Sequence, residues 1–249
     1  MKNIRFYMES ESMSKGKTLR SIRQELLKNS DEEVLNGSKR FFKETIKPLG
    51  VKSAIITRIG KDIFKTISDK SKYQIFELCE ELWRTGYLEE SFIACHWSYY
   101  VHKQYEPEDL HIFEKWIDEY VDNWASCDTL CNHTVGTLLE MYPETVSALE
   151  EWTRSSNRWK RRAAAVSLII PARKGLFFRQ ILNISDLLFG DNDDLVQKGY
   201  GWMLKASSEA HQKEIFHYVM EHRKNMPRTA LRYAIEKMPP DLKKAAMAK

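Results

Sequence analysis

An all-α fold of stacked helical hairpins is what this sequence predicts, and three observations carry the expectation. Apolar residues recur at three- and four-residue spacing in segment after segment. No stretch alternates apolar and polar residues for more than a few positions, so no strand is expected. The helical segments also recur with a nearly constant period: Trp83 to Trp124 spans 41 residues, Trp124 to Arg162 spans 38, and Arg162 to Trp202 spans 40. Helix pairs repeating every ~40 to 47 residues are characteristic of HEAT and armadillo solenoids. The expected architecture is therefore a HEAT-like, armadillo-like α-solenoid of about five to six hairpins, forming a single domain over residues 17–238, whose second helices line a concave surface.

The elements follow in chain order. Residues 1–16 are polar and read as a flexible N-terminal segment. Leu19, Ile22 and Leu26 share one face of a first helix from Thr18 to about Leu27. Ser30-Asp31-Glu32-Glu33 reads as a capping box for a short helix that Asn36-Gly37-Ser38 interrupts and Lys39 restarts, through Phe41, Phe42 and Ile46 toward Pro48. After Gly50 come paired helices: Tyr73 to Arg84 with Glu89 to Lys103, Pro107 to Val121 with Trp124 to Met141, and Pro143 to Arg154 with Asn157 to Ile170. Leu176 to Phe189 with Asp194 to Ser207, and Ala210 to Arg223 with Pro227 to Met238, complete the series. Pro239-Pro240 closes the last pair and leaves residues 239–249 as a C-terminal tail.

With 249 residues, 43% apolar and 30% charged, the chain has the composition of a globular protein with a substantial core. No run approaches the ~18 consecutive apolar residues of a membrane helix, and the N-terminus lacks a signal-peptide core, so a cytoplasmic protein is expected. Cys79, Cys95, Cys127 and Cys131 do not form a disulfide framework, which agrees with a reducing compartment. Cys127, Cys131 and His133 lack a fourth partner and the Cys-x2-Cys spacing, so buried structural thiols and no metal are expected. The absence of a glycine-rich phosphate loop and of a Gly-x-Ser-x-Gly elbow excludes nucleotide hydrolysis and serine-esterase chemistry.

The net charge of +4 conceals a local asymmetry. From Lys103 to Glu151 twelve acids face two bases, whereas no acid lies between Glu151 and Asp186. That second stretch holds Arg154, Arg158, Lys160, Arg161, Arg162, Arg173, Lys174 and Arg179. Ser156 or Asn157 can cap a helix there whose apolar side is Ala163, Ala164, Val166, Ile169 and Ile170, stopping before Pro171. A charged helix face usually mixes both signs, and a single-sign block more often meets a polyanion. Arg154, Arg158, Lys160, Arg161, Arg173 and Lys174 are accordingly expected to meet an anionic partner.

Trp124 and Asp128, four positions apart, fall on one helix face, and Arg162 and Trp202 occupy corresponding places one and two repeats later. Taken singly, each tryptophan reads as a core aromatic, Asp128 as a local cap or pair, and Arg162 as one more surface charge. Their joint spacing resembles the bacterial DNA alkylation-repair glycosylases of the AlkD type, which are HEAT-like solenoids. Asn157-Arg158-Trp159-Lys160-Arg161-Arg162-Ala163-Ala164 resembles that family's hallmark helix start, and Gly199-Tyr200-Gly201-Trp202-Met203-Leu204-Lys205 its later tryptophan motif. The likeness covers about Ser38 to Met238, with its specific part in residues 120–205.

The resemblance implies that Asp128 is the catalytic carboxylate, that Trp124 and Trp202 hold the damaged nucleotide's backbone and sugar, and that Arg162 anchors its phosphate. It implies too that Arg154, Arg158, Lys160, Arg161, Arg173 and Lys174 contact the DNA backbone without reading sequence, with binding that weakens steeply in salt. It further implies a cofactor-free enzyme releasing 3-methyladenine and 7-methylguanine from double-stranded DNA in a concave basic groove, leaving the base largely in the duplex where other glycosylases flip it. A monomer is expected by default. One departure stands out: where the family often has Trp-Asp-x-x-Asp, this chain has Trp124-Ala125-Ser126-Cys127-Asp128, which bears on rate and substrate range. Two other classes fit the same features: a catalytically silent HEAT module that binds nucleic acid, and a protein-binding scaffold.

Overall fold

The computed structural model describes the backbone of residues 2–248 and the side chains of residues 15–248. Its regular secondary structure is helical, with one isolated parallel bridge between Lys47 and Tyr87. The chain forms two compact units, residues 1–105 and 106–249. Among the described residues no helix is long and apolar enough to cross a membrane.

The first unit contains α1 (Lys2–Lys28), α2 (Glu32–Phe41), α3 (Ser53–Thr66), α4 (Lys72–Arg84) and α5 (Leu88–Tyr100). The helix expected from Thr18 begins at Lys2, so the backbone of most of segment 1–16 belongs to it. Met1 and the side chains of the first fourteen residues lie outside the described residues. Ile22 and Leu26 of α1 are fully buried, and the helix packs on α3, α4 and α5. Asp31 caps α2, accepting from the Val34 N–H at 3.0 Å, while the Ser30 hydroxyl donates to the Leu49 carbonyl. Contrary to the sequence reading, α2 runs on through Asn36, Gly37 and Ser38. A single helical glycine costs about 1 kcal/mol relative to alanine, which a capped helix tolerates.

Sequence reading assigns no element to α3. Its four isoleucines are weak helix formers, and burial overrides propensity: Ile56, Ile59 and Gly60 face inward, and Trp97 Nε1 donates to the Gly60 carbonyl at 2.9 Å. At the start of α5 the buried Glu89 carboxylate accepts from the backbone N–H groups of Leu49, Gly50 and Val51 at 2.8, 2.9 and 3.1 Å. Those three donors are thereby satisfied inside the protein.

The second unit begins with α6 (Asp109–Glu119) and α7 (Trp124–Thr129), which continues through a π-helical segment, Leu130–Val135, into α8 (Gly136–Met141). A 3-10 turn, Pro143–Ser147, leads into α9 (Ala148–Trp152). Then come α10 (Arg158–Val166), α11 (Ile169–Arg173), α12 (Phe178–Leu188), α13 (Asp194–Ser207), α14 (Gln212–His222), α15 (Arg228–Ala234) and α16 (Pro240–Met247).

The breaks between hairpins fall close to the expected places, with one informative difference. The helix opened by Asn157 ends at Val166 rather than Ile170, and Pro171 sits inside α11. A proline ring conflicts with the carbonyl four residues before it, here Ser167, so the ladder breaks at Ser167 and Leu168 and not at the proline itself. The Ser167 carbonyl then lies beside Gly136, where a Cβ would be 2.8 Å from it. In the tail, α16 packs on α14, Ala246 is buried, and Arg223 Nη1 donates to the carbonyls of Ala245 and Ala248 at 2.9 and 2.8 Å.

Candidate active site

The site is built from three helices of the second unit. Asn123 caps α7 by accepting from the Ser126 N–H at 2.9 Å, which makes Trp124 the first helical residue and puts Asp128 one turn further along the same face. Asn157 caps α10 in the same way, accepting from the Trp159 N–H at 2.9 Å. Ala163, Ala164 and Ala165 are fully buried, and these small side chains let α10 pack against α7, α9 and α13. Cys127, next to Asp128, donates its thiol to the Trp159 carbonyl at 3.6 Å and ties α7 to α10 directly.

Across this contact Arg162 Nε donates to Asp128 Oδ1 at 2.8 Å and Nη2 to Oδ2 at 2.7 Å. This is the paired-fork geometry that makes arginine–carboxylate bonds strong and directional. Both groups are buried, Asp128 at 8% and Arg162 at 5% exposure. Arg162 Nη1 also donates to the Leu195 carbonyl of α13. A Cβ on Gly199 would lie 3.4 Å from Arg162 Cγ, so α13 rests against the arginine stem.

Burial pushes the Asp128 carboxyl above its ordinary value, and the bonds from Arg162 work against that rise. Burial likewise disfavours the charge on Arg162, but its bonds to Asp128 outweigh this and hold it in the cationic form. With both oxygens accepting from a cation, these bonds favour the ionised form of Asp128.

The two tryptophans complete the arrangement. Of the seven in the chain, Trp83, Trp97, Trp116, Trp152 and Trp159 are buried, whereas Trp124 and Trp202 are half-exposed. Trp124 shares the Asp128 face of α7. Trp202 lies three residues after Gly199 and seven after Leu195, hence on the face of α13 that touches Arg162. The structure thus brings Asp128 and Arg162 into contact and places the tryptophans on the helix faces that hold them. Arg162, expected as a phosphate anchor, has Asp128 and Leu195 as its partners.

The six residues expected to contact DNA all have acidic partners. Arg154 meets Glu151 at 2.5 Å, Arg158 Nη2 meets Asp193 at 2.9 Å, and Arg161 meets Asp191 at 2.6 Å. Lys160 bridges Glu114 and Asp118 at 2.8 and 2.7 Å, Lys174 meets Glu140 at 2.6 Å, and Arg173 lies 3.6 Å from Glu209. The stretch is free of acids in sequence but not in space, because, apart from Glu151 at its border, neighbouring repeats supply them. The carbonyl of Leu195 and these acids are what sequence reading missed. The one clue to them was the spacing, since most of these partners stand about one repeat away.

The sequence model of the DNA alkylation repair enzyme family matches residues 22–238 of this chain. A solved structure described as a predicted DNA alkylation repair enzyme from Enterococcus faecalis is similar in fold, with a TM-score of 0.74 and 14% sequence identity, over 85% of this chain and 98% of the other. Curated protein sequences give no match.

Proposed function

Because the chain belongs to the DNA alkylation repair enzyme family, we propose that it is a cofactor-free, monofunctional glycosylase that hydrolyses the N-glycosidic bond of cationic alkylated purines, 3-methyladenine and 7-methylguanine, in duplex DNA. The observation that carries this reading is the buried Asp128–Arg162 fork set between helix faces bearing the two half-exposed tryptophans. A purine alkylated at N3 or N7 is already positive and leaves without a strong general acid. The electron pair of the C1′–N bond goes to the departing base and neutralises it, and the sugar develops oxocarbenium character.

An anionic carboxylate beside C1′ stabilises that charge, and in a water-poor pocket the effect is large. Each Asp128 oxygen keeps a lone pair beyond its bond to Arg162, enough to orient a water and take its proton as the oxygen bonds to C1′. Arg162 retains two of its five N–H groups for a phosphate oxygen. The faces of Trp124 and Trp202 attract a cationic nucleotide through their quadrupoles.

The test is release of 3-methyladenine or 7-methylguanine from alkylated duplex DNA. Wild type is expected to release base, and Asp128→Asn to do so at least about 100-fold more slowly, as expected when preorganised charge is removed. No release by the wild type sinks the proposal. The low exposure of Asp128 favours one rival, a silent module that only binds nucleic acid. That reading requires salt-sensitive binding without base release, weakened by Arg162→Ala and untouched by Asp128→Asn.

A further inference from the structure

The positive charge of this protein is not where its most basic stretch lies. Residues 106–249 hold 20 Lys and Arg against 21 Asp and Glu, whereas residues 1–105 hold 19 against 14. Within the first unit α3 carries three bases, Arg58, Lys61 and Lys65, against one acid, Asp62. Arg58, Lys61 and Lys65 stand at i, i+3 and i+7 on one exposed face, with exposed Lys52 at the helix cap. The opposite face, Ile56, Ile59 and Gly60, is buried, so the stripe points away from the core.

Lys65 pairs with exposed Asp62 at 2.8 Å, while Lys52, Arg58 and Lys61 make no ion pair with another described residue. The Asp62 carboxyl is held below its usual range by the hydrogen bond from Lys65 and then by the charges of Lys65, Arg58 and Lys61. Like charges one turn apart weaken a helix slightly, and an external anion removes that penalty.

We infer that this stripe is a docking surface for the phosphodiester backbone of duplex DNA, and that it supplies more of the salt-sensitive affinity than the compensated 154–174 block. The inference rests on the reading that the protein acts on DNA. From Lys52 to Lys65 the helix axis advances about 20 Å, a length that several phosphates of one strand occupy. The other exposed residues of the face are small, Ala54 and Thr57. It therefore lacks the aromatic anchor of a protein interface and the apolar wedge of a membrane-surface helix. Charge without apolar area or base-reading amides fits a phosphate track that ignores sequence.

The experiment compares the full-length wild type, Arg58→Gln/Lys61→Gln, and the charge-matched control Lys213→Gln/Lys224→Gln. Affinity for an unmodified duplex is measured by fluorescence anisotropy over a range of salt concentrations. The α3 variant is expected to bind several-fold more weakly, with a log–log salt slope shallower by about 2. The control keeps a near-wild-type slope, and Asp62→Asn tightens binding. An unchanged slope in the α3 variant overturns the inference, as does an equal change in the control, which would make net charge alone responsible. Intact duplex binding with loss of binding to vesicles of equal parts phosphatidylserine and phosphatidylcholine also overturns it. Because the duplex is undamaged, the result is independent of base release. Normal release with an unchanged slope sinks only this inference, and absent release with a reduced slope sinks only the glycosylase reading.

Discussion

Arg162 and Lys174 each pair with a carboxylate about one repeat away, yet the two pairs do opposite things. Arg162 is withdrawn from water and locked on Asp128 by two bonds of 2.8 and 2.7 Å. Lys174 meets Glu140 with its side chain 55% exposed. A buried pair is committed, because each partner has lost its water and has only the other to replace it. An exposed pair is a weak association in competition with solvent, salt and any phosphate that arrives.

The largest expected effect comes from breaking the committed pair. Arg162→Ala leaves a buried carboxylate uncompensated and should lower unfolding stability by about 3 to 5 kcal/mol, read from urea denaturation. Asp128→Leu/Arg162→Met removes both charges and should recover most of that stability while releasing no base. Recovery of stability together with activity would show that the pair is structural only and would end the catalytic assignment of Asp128.

The same pair sets the expected pH behaviour. Asp128 acts as an anion, and burial holds its carboxyl above the ordinary value of about 3.9. Base release should therefore fall as pH drops through that raised value, giving kcat/KM an acidic limb above the range of an exposed aspartate. Arg162→Gln removes the opposing cation and should move the limb further up. A limb that stays in the ordinary aspartate range in both proteins contradicts a buried, arginine-held catalytic carboxylate.

How much of this was legible in the sequence depends on whether a feature is local or crosses between repeats. The all-helical fold follows from apolar spacing, and the cap at Asn157 follows from residue type and position. The capping box opened by Ser30, in contrast, gives way to Asp31 as the cap because the Ser30 hydroxyl donates to the Leu49 carbonyl. The face shared by Trp124 and Asp128 follows from helix geometry alone. What escaped are consequences of packing. Propensity hides α3, whose isoleucines become helical against Trp97 and its neighbours. The break at Ser167 comes from a proline acting on a carbonyl four residues away. The acid-free block read as an open anion site because Asp118, Glu140, Asp191 and Asp193 are distant in sequence and adjacent in space. The repeat period that placed Arg162 and Trp202 also governs these pairings, so charge patterns in a repeat protein are better read between successive repeats than along the chain.

The smallest expected effect tests the other half of the comparison. Lys174→Gln deletes an exposed pair with Glu140 and should change unfolding stability by less than about 0.5 kcal/mol. Its effect on the salt slope for an undamaged duplex should also be smaller than that of Arg58→Gln/Lys61→Gln. A phosphate must displace Glu140 before it can use Lys174, and the energy of the broken pair offsets part of the attraction between lysine and phosphate. Arg58 and Lys61 have no such partner to lose among the described residues. If Lys174→Gln instead flattened the slope as much as the α3 variant, the exposed pairs would be opening on DNA, and the 154–174 block would regain its place as the principal phosphate contact.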